Sequence, residues 1–365
     1  MDEKKLLIFM PSVEDGGVEK NFYLVSNYLG TKLKNVSVIT ANRSIKNNLN
    51  RKIKLIGPKS TIWNTNSRYP KYLICLIYLF SFLLCNRNTL ILSFQANAYA
   101  SLLAKIFCTK IITRSNSSSE GWSKGSIKKF LYKIFLKLPN QIIVNSYQFK
   151  KELHTKFGIK ALVIYNPLNK NEVIKKSKER VSLKFFKGKF TKIITIGRLV
   201  DQKDHITMLK AINLIKDDNI KLLIIGEGQN RSLLIKYINE NKLSSKVKIL
   251  PFKKNPYKYL ILSDIFLFTS VFEGLPNVLL EAQCLKKFII STNCPTGPKE
   301  ILLNGKAGDI VPMLDYKKIS EKIRSYDIKK KSYEKKITLG YISLDRFNYN
   351  HNMQKYLKVI KKFIY

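Results

Sequence analysis

Acidic residues are scarce in this chain: 25 Asp and Glu stand against 66 Lys and Arg in 365 residues, a formal net charge of +41. So one-sided a charge admits three readings: nucleic-acid binding, contact with an anionic membrane surface, or a compositional habit in which Lys rises together with Asn and Ile. The basic residues are spread along the chain without a polybasic tail, which weakens the nucleic-acid reading, since that prefers a concentrated stripe and a reading module. Histidine is scarcer still, with three residues and none before His154. The five cysteines (Cys75, Cys85, Cys108, Cys284, Cys294) are odd in number, scattered and without metal-ligand spacing. They are expected to be reduced, buried thiols of a cytosolic protein, not a disulfide framework. No Asp-x-Asp motif occurs, and Asp217-Asp218 reads as an exposed turn. No apolar run reaches the roughly 20 residues of a spanning helix. The longest, Tyr72 to Cys85, is 14 uncharged residues and reads either as a buried helix or as a segment dipping into a bilayer interface. The start, Met1-Asp2-Glu3-Lys4-Lys5, runs into a strand-like stretch and is not expected to be a signal peptide.

What is present is a globular chain, 45% hydrophobic and long enough for two cores. Short apolar runs recur at Leu6–Met10, Val36–Ile39, Ile53–Ile56, Leu90–Phe94, Lys110–Thr113 and Gln141–Asn145, with helical patterns between most of them. This alternation predicts an α/β domain with a parallel sheet. Residues 170–189 are polar and basic and read as a linker or hinge. A second series follows at Lys192–Gly197, Lys221–Ile225, Val247–Leu250, Ile265–Thr269, Phe288–Ser291 and Asp309–Val311, and the chain ends in a helical run, Asn352–Ile364. Two similar α/β units suggest twin Rossmann-like domains, in which ligands lie beyond the carboxyl ends of the strands.

One such strand end is the most informative stretch. Glu273-Gly274-Leu275-Pro276-Asn277-Val278-Leu279-Leu280-Glu281 sets two carboxylates eight positions apart, one in a strand-to-helix loop and the other within the helix. Pro276 suits the first helical turn. The N–H groups of that turn, with the helix dipole, attract anionic oxygens. Gly274 permits close approach of a ligand, and Asn277 and Glu281 share a helix face. An anion site between two carboxylates suits a ligand both phosphorylated and rich in hydroxyls, as a nucleotide-sugar is. Elsewhere, Gly197-Arg198 closes a strand and Lys203 follows, two cations able to neutralise a diphosphate leaving group. Gly226-Glu227-Gly228 reads as a turn close to a base or phosphate, or as a simple tight turn. Cys294 to Glu300 is a stiff loop in which Thr296, Lys299 and Glu300 are ligand-side candidates or parts of a rigid connector.

Taken in order, GRLVDQK (197–203), GEG (226–228), EGLPNVLLEA (273–282) and TGPKE (296–300) resemble the donor domain of family 4 glycosyltransferases of the GT-B fold, and GGVE (16–19) extends the resemblance over nearly the whole chain. The resemblance implies two Rossmann-like domains with parallel sheets facing across a cleft. Residues 1–168 would form an acceptor-binding domain, 169–190 a linker, 191–340 the nucleotide-sugar domain, and 341–365 a helical segment packing back toward the first. It implies that Arg198, Lys203 and Glu273 are the catalytic set, the cations clamping the diphosphate and Glu273 facing the donor sugar. Gly197, Gly226, Gly274, Leu275, Pro276 and Asn277 would line the donor site, Glu281 would hold the ribose hydroxyls, and Gly16 and Gly17 would approach the diphosphate. The family retains anomeric configuration with neither metal nor cofactor; a donor phosphate oxygen takes the acceptor proton, and the protein supplies positioning and electrostatic stabilisation. Many relatives carry a His or Asp near the reacting sugar in the first domain. With no His before His154, Arg114 and Asn116, just after a strand, are the acceptor-side candidates.

The partners implied are a nucleotide-sugar donor, expected to be UDP-linked and to carry a hexose or N-acetylhexosamine, and a glycan acceptor linked to polyprenyl diphosphate. An anionic membrane surface is expected as well, and nucleic acid is not. Lys124 to Leu138 supports the membrane: Ile127, Phe130, Leu131, Ile134, Phe135 and Leu138 recur at helical spacing among five lysines. Such a helix can lie on an anionic leaflet or be an ordinary domain helix. A peripheral enzyme on the cytoplasmic face, building a surface glycan such as a capsule or O-antigen, follows from this. The rival readings are a sugar-nucleotide epimerase on a similar scaffold and a basic nucleic-acid-binding protein.

Overall fold

The computed structural model describes residues 4–14, 16–63, 67–116, 126–216, 219–326 and 328–364. The chain forms two units, one of Met1–Pro167 with Tyr349–Tyr365 and one of Leu168–Asn348.

In the first unit the Ile, Leu and Val runs become strands because both of their faces are covered. β1 (Lys5–Phe9) leads to α1 (Gly17–Lys32), β2 (Val36–Ile39), β3 (Lys54–Ile56), α2 (Arg68–Cys85), β4 (Thr89–Ser93), α3 (Asn97–Ile106), β5 (Lys110–Ser115), α4 (Ser126–Leu136), β6 (Gln141–Val144), α5 (Tyr147–Phe157) and β7 (Leu162–Val163). Every pair is parallel, in the order β3-β2-β1-β4-β5-β6-β7. All five residues of β4 are buried, the pattern of a parallel sheet with helices on both sides. Successive side chains of β1 serve opposite layers. Leu6 and Ile8 join Phe22, Val25 and Leu29 of α1, whereas Leu7 and Phe9 join Cys75, Leu79 and Leu83 of α2 and Ala100 and Ala104 of α3.

The second unit repeats the plan. α6 (Lys170–Ser177) precedes β8 (Thr191–Ile196), α7 (His205–Asn213), β9 (Ile220–Ile225), α8 (Arg231–Glu240), β10 (Val247–Leu250), α9 (Tyr257–Leu260), β11 (Ile265–Phe268), α10 (Asn277–Cys284), β12 (Phe288–Thr292), α11 (Pro298–Ile301), β13 (Asp309–Val311), α12 (Tyr316–Arg324) and α13 (Lys330–Ser343). Its sheet is parallel in the order β10-β9-β8-β11-β12-β13. Both sheets reverse direction at their first strand, between β1 and β4 and between β8 and β11. A strand order of this kind opens a crevice at the reversal, outside the carboxyl ends of the strands. The last helix, α14 (Tyr349–Ile364), belongs to the first unit, where Met353, Tyr356, Ile360 and Ile364 complete the layer begun by α1.

Several details differ from the sequence reading. Residues 169–190, expected as a linker, fall inside the second unit. Asn169 caps α6 by accepting from the Glu172 N–H at 3.2 Å, and Asn255 Nδ2 donates to the Lys176 carbonyl at 2.8 Å. The segment 341–365 divides, its first part remaining with the second unit and α14 joining the first. The short edge strand β7 was not expected. Of the cysteines expected to be buried, Cys85 and Cys108 are exposed; all five are free. Lys124 and the Asp217-Asp218 pair lie outside the described residues, as do the side chains of Ile127, Lys128 and Lys129.

Candidate functional site

At the reversal of the second sheet two loops are stitched together. After β8, Gly197 N–H continues the ladder by donating to the Ile225 carbonyl at 3.0 Å. Arg198 is exposed and its guanidinium has no protein partner among the described residues. A 3₁₀ turn over Asp201–Lys203 follows, and Asp204 caps α7. The loop after β11 holds this turn in place: Thr269 Oγ1 donates to the Lys203 carbonyl at 2.9 Å, Val271 N–H to the Gln202 carbonyl at 2.9 Å, and Gln202 Nε2 to the Phe272 carbonyl at 2.8 Å. Across the join Lys203 Nζ forms an ion pair with Glu273 Oε1, and the same ammonium stands 5.4 Å from the centre of the Phe268 ring. Both side chains are largely buried, 17% and 10% exposed. Two of the three expected catalytic groups therefore touch, and exposed Arg198 stands five residues before Lys203.

The glycines explain why the loops can meet. A Cβ on Gly226 would sit 1.8 Å from the Gly197 carbonyl oxygen. Gly228 is equally confined by the Leu199 backbone, which accepts from Asn230 N–H at 2.9 Å and donates to the Glu227 carbonyl at 2.7 Å. At Gly226 packing of loop on loop, not approach of a ligand, already requires glycine. The TGPKE loop braces the far side. Glu273 N–H donates to the Pro295 carbonyl at 2.6 Å, and Thr296 Oγ1 donates to the carbonyls of Glu273 and Gly274 at 3.2 and 3.0 Å. Thr296, a ligand-side candidate, is buried as part of this clasp, whereas Lys299 is exposed.

From the clasp the chain enters α10. Pro276 is the N-cap with φ −71°, one place earlier than the first-turn position expected, and no side chain caps this end. Gly274, Leu275 and Pro276 are buried, while Asn277 and Val278 are half-buried. The helix end thus points a positive pole past a partly open backbone, with Lys203 and Glu273 beside it. One turn further, Glu281 is 5% exposed and accepts from Tyr257 Oη at 3.1 Å. Tyr257, at the start of α9, is the residue of the second unit's site that sequence reasoning missed. It is one of 19 tyrosines and nothing local marks it.

Burial and neighbouring charge tune the groups around the pair. His205, next to the Asp204 cap, is 4% exposed and its Nδ1 has no hydrogen-bond partner. Burial, reinforced by the Lys203 charge, pulls its pKa down to about 4. Burial, with the Glu273 carboxylate, pushes the Cys294 thiol up to about 12.

In the first unit Gly16 is the N-cap of α1 with extended backbone, and Gly17 opens the helix. A Cβ on Gly16 would meet Glu19 Oε2 at 2.6 Å. The buried Glu19 carboxyl is raised above its ordinary value by desolvation. Glu14 is clamped by Arg68 through two bonds of 2.9 and 2.5 Å, which lowers its carboxyl. Arg114, expected on the acceptor side, is fully buried. It donates to Asn116 Oδ1 at 2.8 Å and Asn166 Oδ1 at 2.5 Å and stands 5.4 Å from the centre of the Tyr356 ring of α14. It ties the strand end to α14, and of the two candidates only Asn116 is partly exposed. Around it stand amides that sequence reasoning passed over: Asn97 donates to the Arg114 carbonyl at 2.9 Å and Asn145 to the Asn116 carbonyl at 3.1 Å. Asn145 directly follows β6, the position on the ligand side of an open α/β sheet, and that placement was the available signal.

Known proteins resemble this chain in sequence and in fold. A family model described as glycosyl transferases group 1 matches residues 176–362, just over half of the chain. An uncharacterised glycosyltransferase of Methanocaldococcus jannaschii is 32% identical over 234 residues, covering 58% of this chain and 57% of that protein, so the match spans less than two thirds of its length. A Campylobacter jejuni enzyme, the N-acetylgalactosamine-N,N'-diacetylbacillosaminyl-diphospho-undecaprenol 4-alpha-N-acetylgalactosaminyltransferase, is 29% identical over 272 residues, 71% of this chain and 73% of the enzyme. Among solved structures, Anabaena HepE in complex with UDP superposes with a TM-score of 0.78 at 14% identity, over 98% of this chain and 100% of that one, a likeness of fold.

Proposed function

We propose that this chain, which belongs to the group 1 glycosyl transferases, moves a hexose or N-acetylhexosamine from a nucleotide-sugar to a lipid-linked glycan with retention of anomeric configuration. The observation that carries this reading is the Lys203–Glu273 pair at the sheet reversal, beside the uncapped start of α10. In this reading the donor diphosphate lies against Arg198 and Lys203, whose charges stabilise it as it leaves, and α10 adds the positive end of its dipole. Lys203 already neutralises Glu273 and so holds that carboxylate in one orientation, suited to receiving hydroxyls of the donor sugar. Glu281, oriented by Tyr257, takes the ribose hydroxyls. The acceptor proton passes to a donor phosphate oxygen, so that no side-chain base is required. UDP is the nucleotide proposed, in line with the UDP in the Anabaena structure, and the undecaprenol-linked substrate named for the Campylobacter relative supports a polyprenyl-diphosphate acceptor. Neither metal nor cofactor enters this scheme. The enzyme would then work in the cytoplasm at the inner face of the membrane, extending a surface glycan.

The test is binding of UDP, GDP, ADP, their sugar conjugates and the free nucleosides to the purified protein by calorimetry, with Glu281→Ala and Arg198→Ala alongside. One nucleotide series is expected to bind. Glu281→Ala should weaken nucleoside and nucleotide-sugar alike, and Arg198→Ala should weaken mainly the diphosphate forms. Absence of binding by folded protein, or affinities unchanged in both variants, overturns the donor-site assignment. Retention is read from the anomeric configuration of the product by NMR, and metal independence from activity that survives a chelator.

A further inference from the structure

Helices α2, α3 and α4 lie side by side on one face of the first sheet, α2 touching α3 and α3 touching α4. Each has a seated side. Cys75, Leu79 and Leu83 of α2 and Ala100 and Ala104 of α3 are buried in the same core cluster, and Leu136 of α4 in the next. Their opposite sides are apolar too, and exposed. On α2, Leu73, Ile77, Phe80 and Leu84 recur at spacings of four, three and four, a single stripe, with Leu73 62% exposed. On α3, Leu102 and Ile106 continue it, Ile106 being 63% exposed, and on α4 Phe130 and Ile134 do so. Phe80 meets Phe107 edge to face at 5.3 Å, joining the first two stripes. Exposed apolar surface of this extent on a folded unit marks an interaction site.

The charge around it selects the partner. From Lys71 to Asn140 the sequence contains a single acidic residue, Glu120. The exposed cations Arg87, Lys105, Lys133 and Lys137 flank the apolar stripes. An apolar face set among cations, on three helices that carry no carboxylate of their own, complements acyl chains beneath anionic headgroups. α2 has 18 residues of mean hydropathy 1.3 and by length and composition could cross a bilayer. Crossing would strip Cys75, Leu79 and Leu83 from the core, where each is fully buried. We propose that the outward face of α2, α3 and α4 docks on an anionic lipid bilayer, the helices lying in its interface. The sequence leaves both helices open, α4 as a leaflet-binding or an ordinary domain helix and α2 as a buried helix or an interfacial segment; among the described side chains α2 presents more exposed apolar residues than α3 or α4. The inference rests on the proposed lipid-linked acceptor for its purpose, but the binding itself is testable without it.

The full chain is sedimented with phosphatidylglycerol–phosphatidylcholine vesicles and with phosphatidylcholine vesicles, as wild type, as Leu73→Ser/Ile77→Ser/Leu84→Ser, and as Lys105→Glu/Lys133→Glu/Lys137→Glu. The wild type should sediment with the anionic vesicles, and either triple variant should bind them at least about tenfold more weakly. In Ile77→Trp, the added tryptophan emission should shift to the blue with anionic vesicles. A wild type that stays in the supernatant, an apolar variant that binds unchanged, or an unshifted Ile77→Trp spectrum overturns the proposal. So does a wild-type dimer in sedimentation velocity that the apolar variant abolishes, because the face would then belong to a second copy. Nucleotide binding measured on the same preparations keeps the two readings apart: its loss in the wild type sinks the donor site and leaves the vesicle result standing, and its retention in the variants shows them folded.

Discussion

His205 and Tyr257 sit beside the charged groups of the site, the first governed by burial and the Lys203 charge, the second by a hydrogen bond. The ordinary histidine value is 6.5, and burial holds His205 at about 4. The unfolded chain therefore takes up this proton first as pH falls. The contribution of neutral His205 is fully present above pH 6.5 and is lost as pH falls toward about 4, up to about 3 kcal/mol by linkage. Denaturant unfolding at pH 7.5 and 4.5 should show a steeper loss in wild type than in His205→Leu; equal losses would mean that His205 is protonated without cost in the folded protein. Tyr257→Phe removes one donor from the buried Glu281 carboxylate. A hydrogen bond to a charged group contributes about 1.5–3 kcal/mol to the folded state, so Tyr257→Phe should lower stability by that order and, by freeing the Glu281 carboxylate, weaken nucleotide binding, with Glu281→Ala weakening it at least as far. Calorimetry decides, and an unchanged affinity removes Tyr257 from the site. Residues of this kind are the least legible in a sequence. Arg114 has the chemistry of a ligand-binding cation and the position just after a strand, yet it is fully buried beneath α14, and only the return of a segment more than 200 positions away decides that.

At the scale of the element, glycine substitutions separate two physical causes. Gly226→Ala would force a Cβ to 1.8 Å from a carbonyl oxygen, and Gly297→Ala, at φ +96°, would force one to 2.2 Å from the Gly274 carbonyl. Each should cost more than about 2 kcal/mol, and Gly297→Ala should also weaken nucleotide binding by displacing the loop that carries Glu273. Gly158→Ala is the control. At the end of α5 it has φ +68° and nothing within 4 Å of its Cβ, so it should cost only about 1 kcal/mol for the left-handed backbone. Thermal unfolding of the three variants orders them, and an equal loss in all three would remove crowding as the cause. Elements were largely legible because strands buried on both faces leave nearly unbroken apolar runs: β4, β11 and β12 are buried throughout and fall within one residue of the expected bounds. α6 was missed because its solvent-facing lysines outweigh two buried positions, Val173 and Ser177. β7 was missed because two residues carry no periodicity.

Over the whole molecule, the two units differ in how the chain builds them. The second is one continuous stretch, whereas the first draws α14 from the far end. α14 places Met353, Tyr356, Ile360 and Ile364 in the core of that first unit. Burying each such side chain contributes about 1.5–3 kcal/mol, so a chain ending at residue 348 should leave the first unit open to protease while the second still binds nucleotide. Limited proteolysis with mass spectrometry reads the outcome, and a first unit that stays resistant would show that its core closes without α14. The same feature governs the order of events during synthesis. Residues 168–348 form a unit that is continuous in the chain, but the unit of residues 1–167 waits for α14 to be translated. For that interval the face of its sheet reserved for α14 is uncovered, so this unit, translated before its partner, is the one more dependent on protection by chaperones, and a stop codon just before α14 would damage a unit whose strands lie about 200 residues or more upstream.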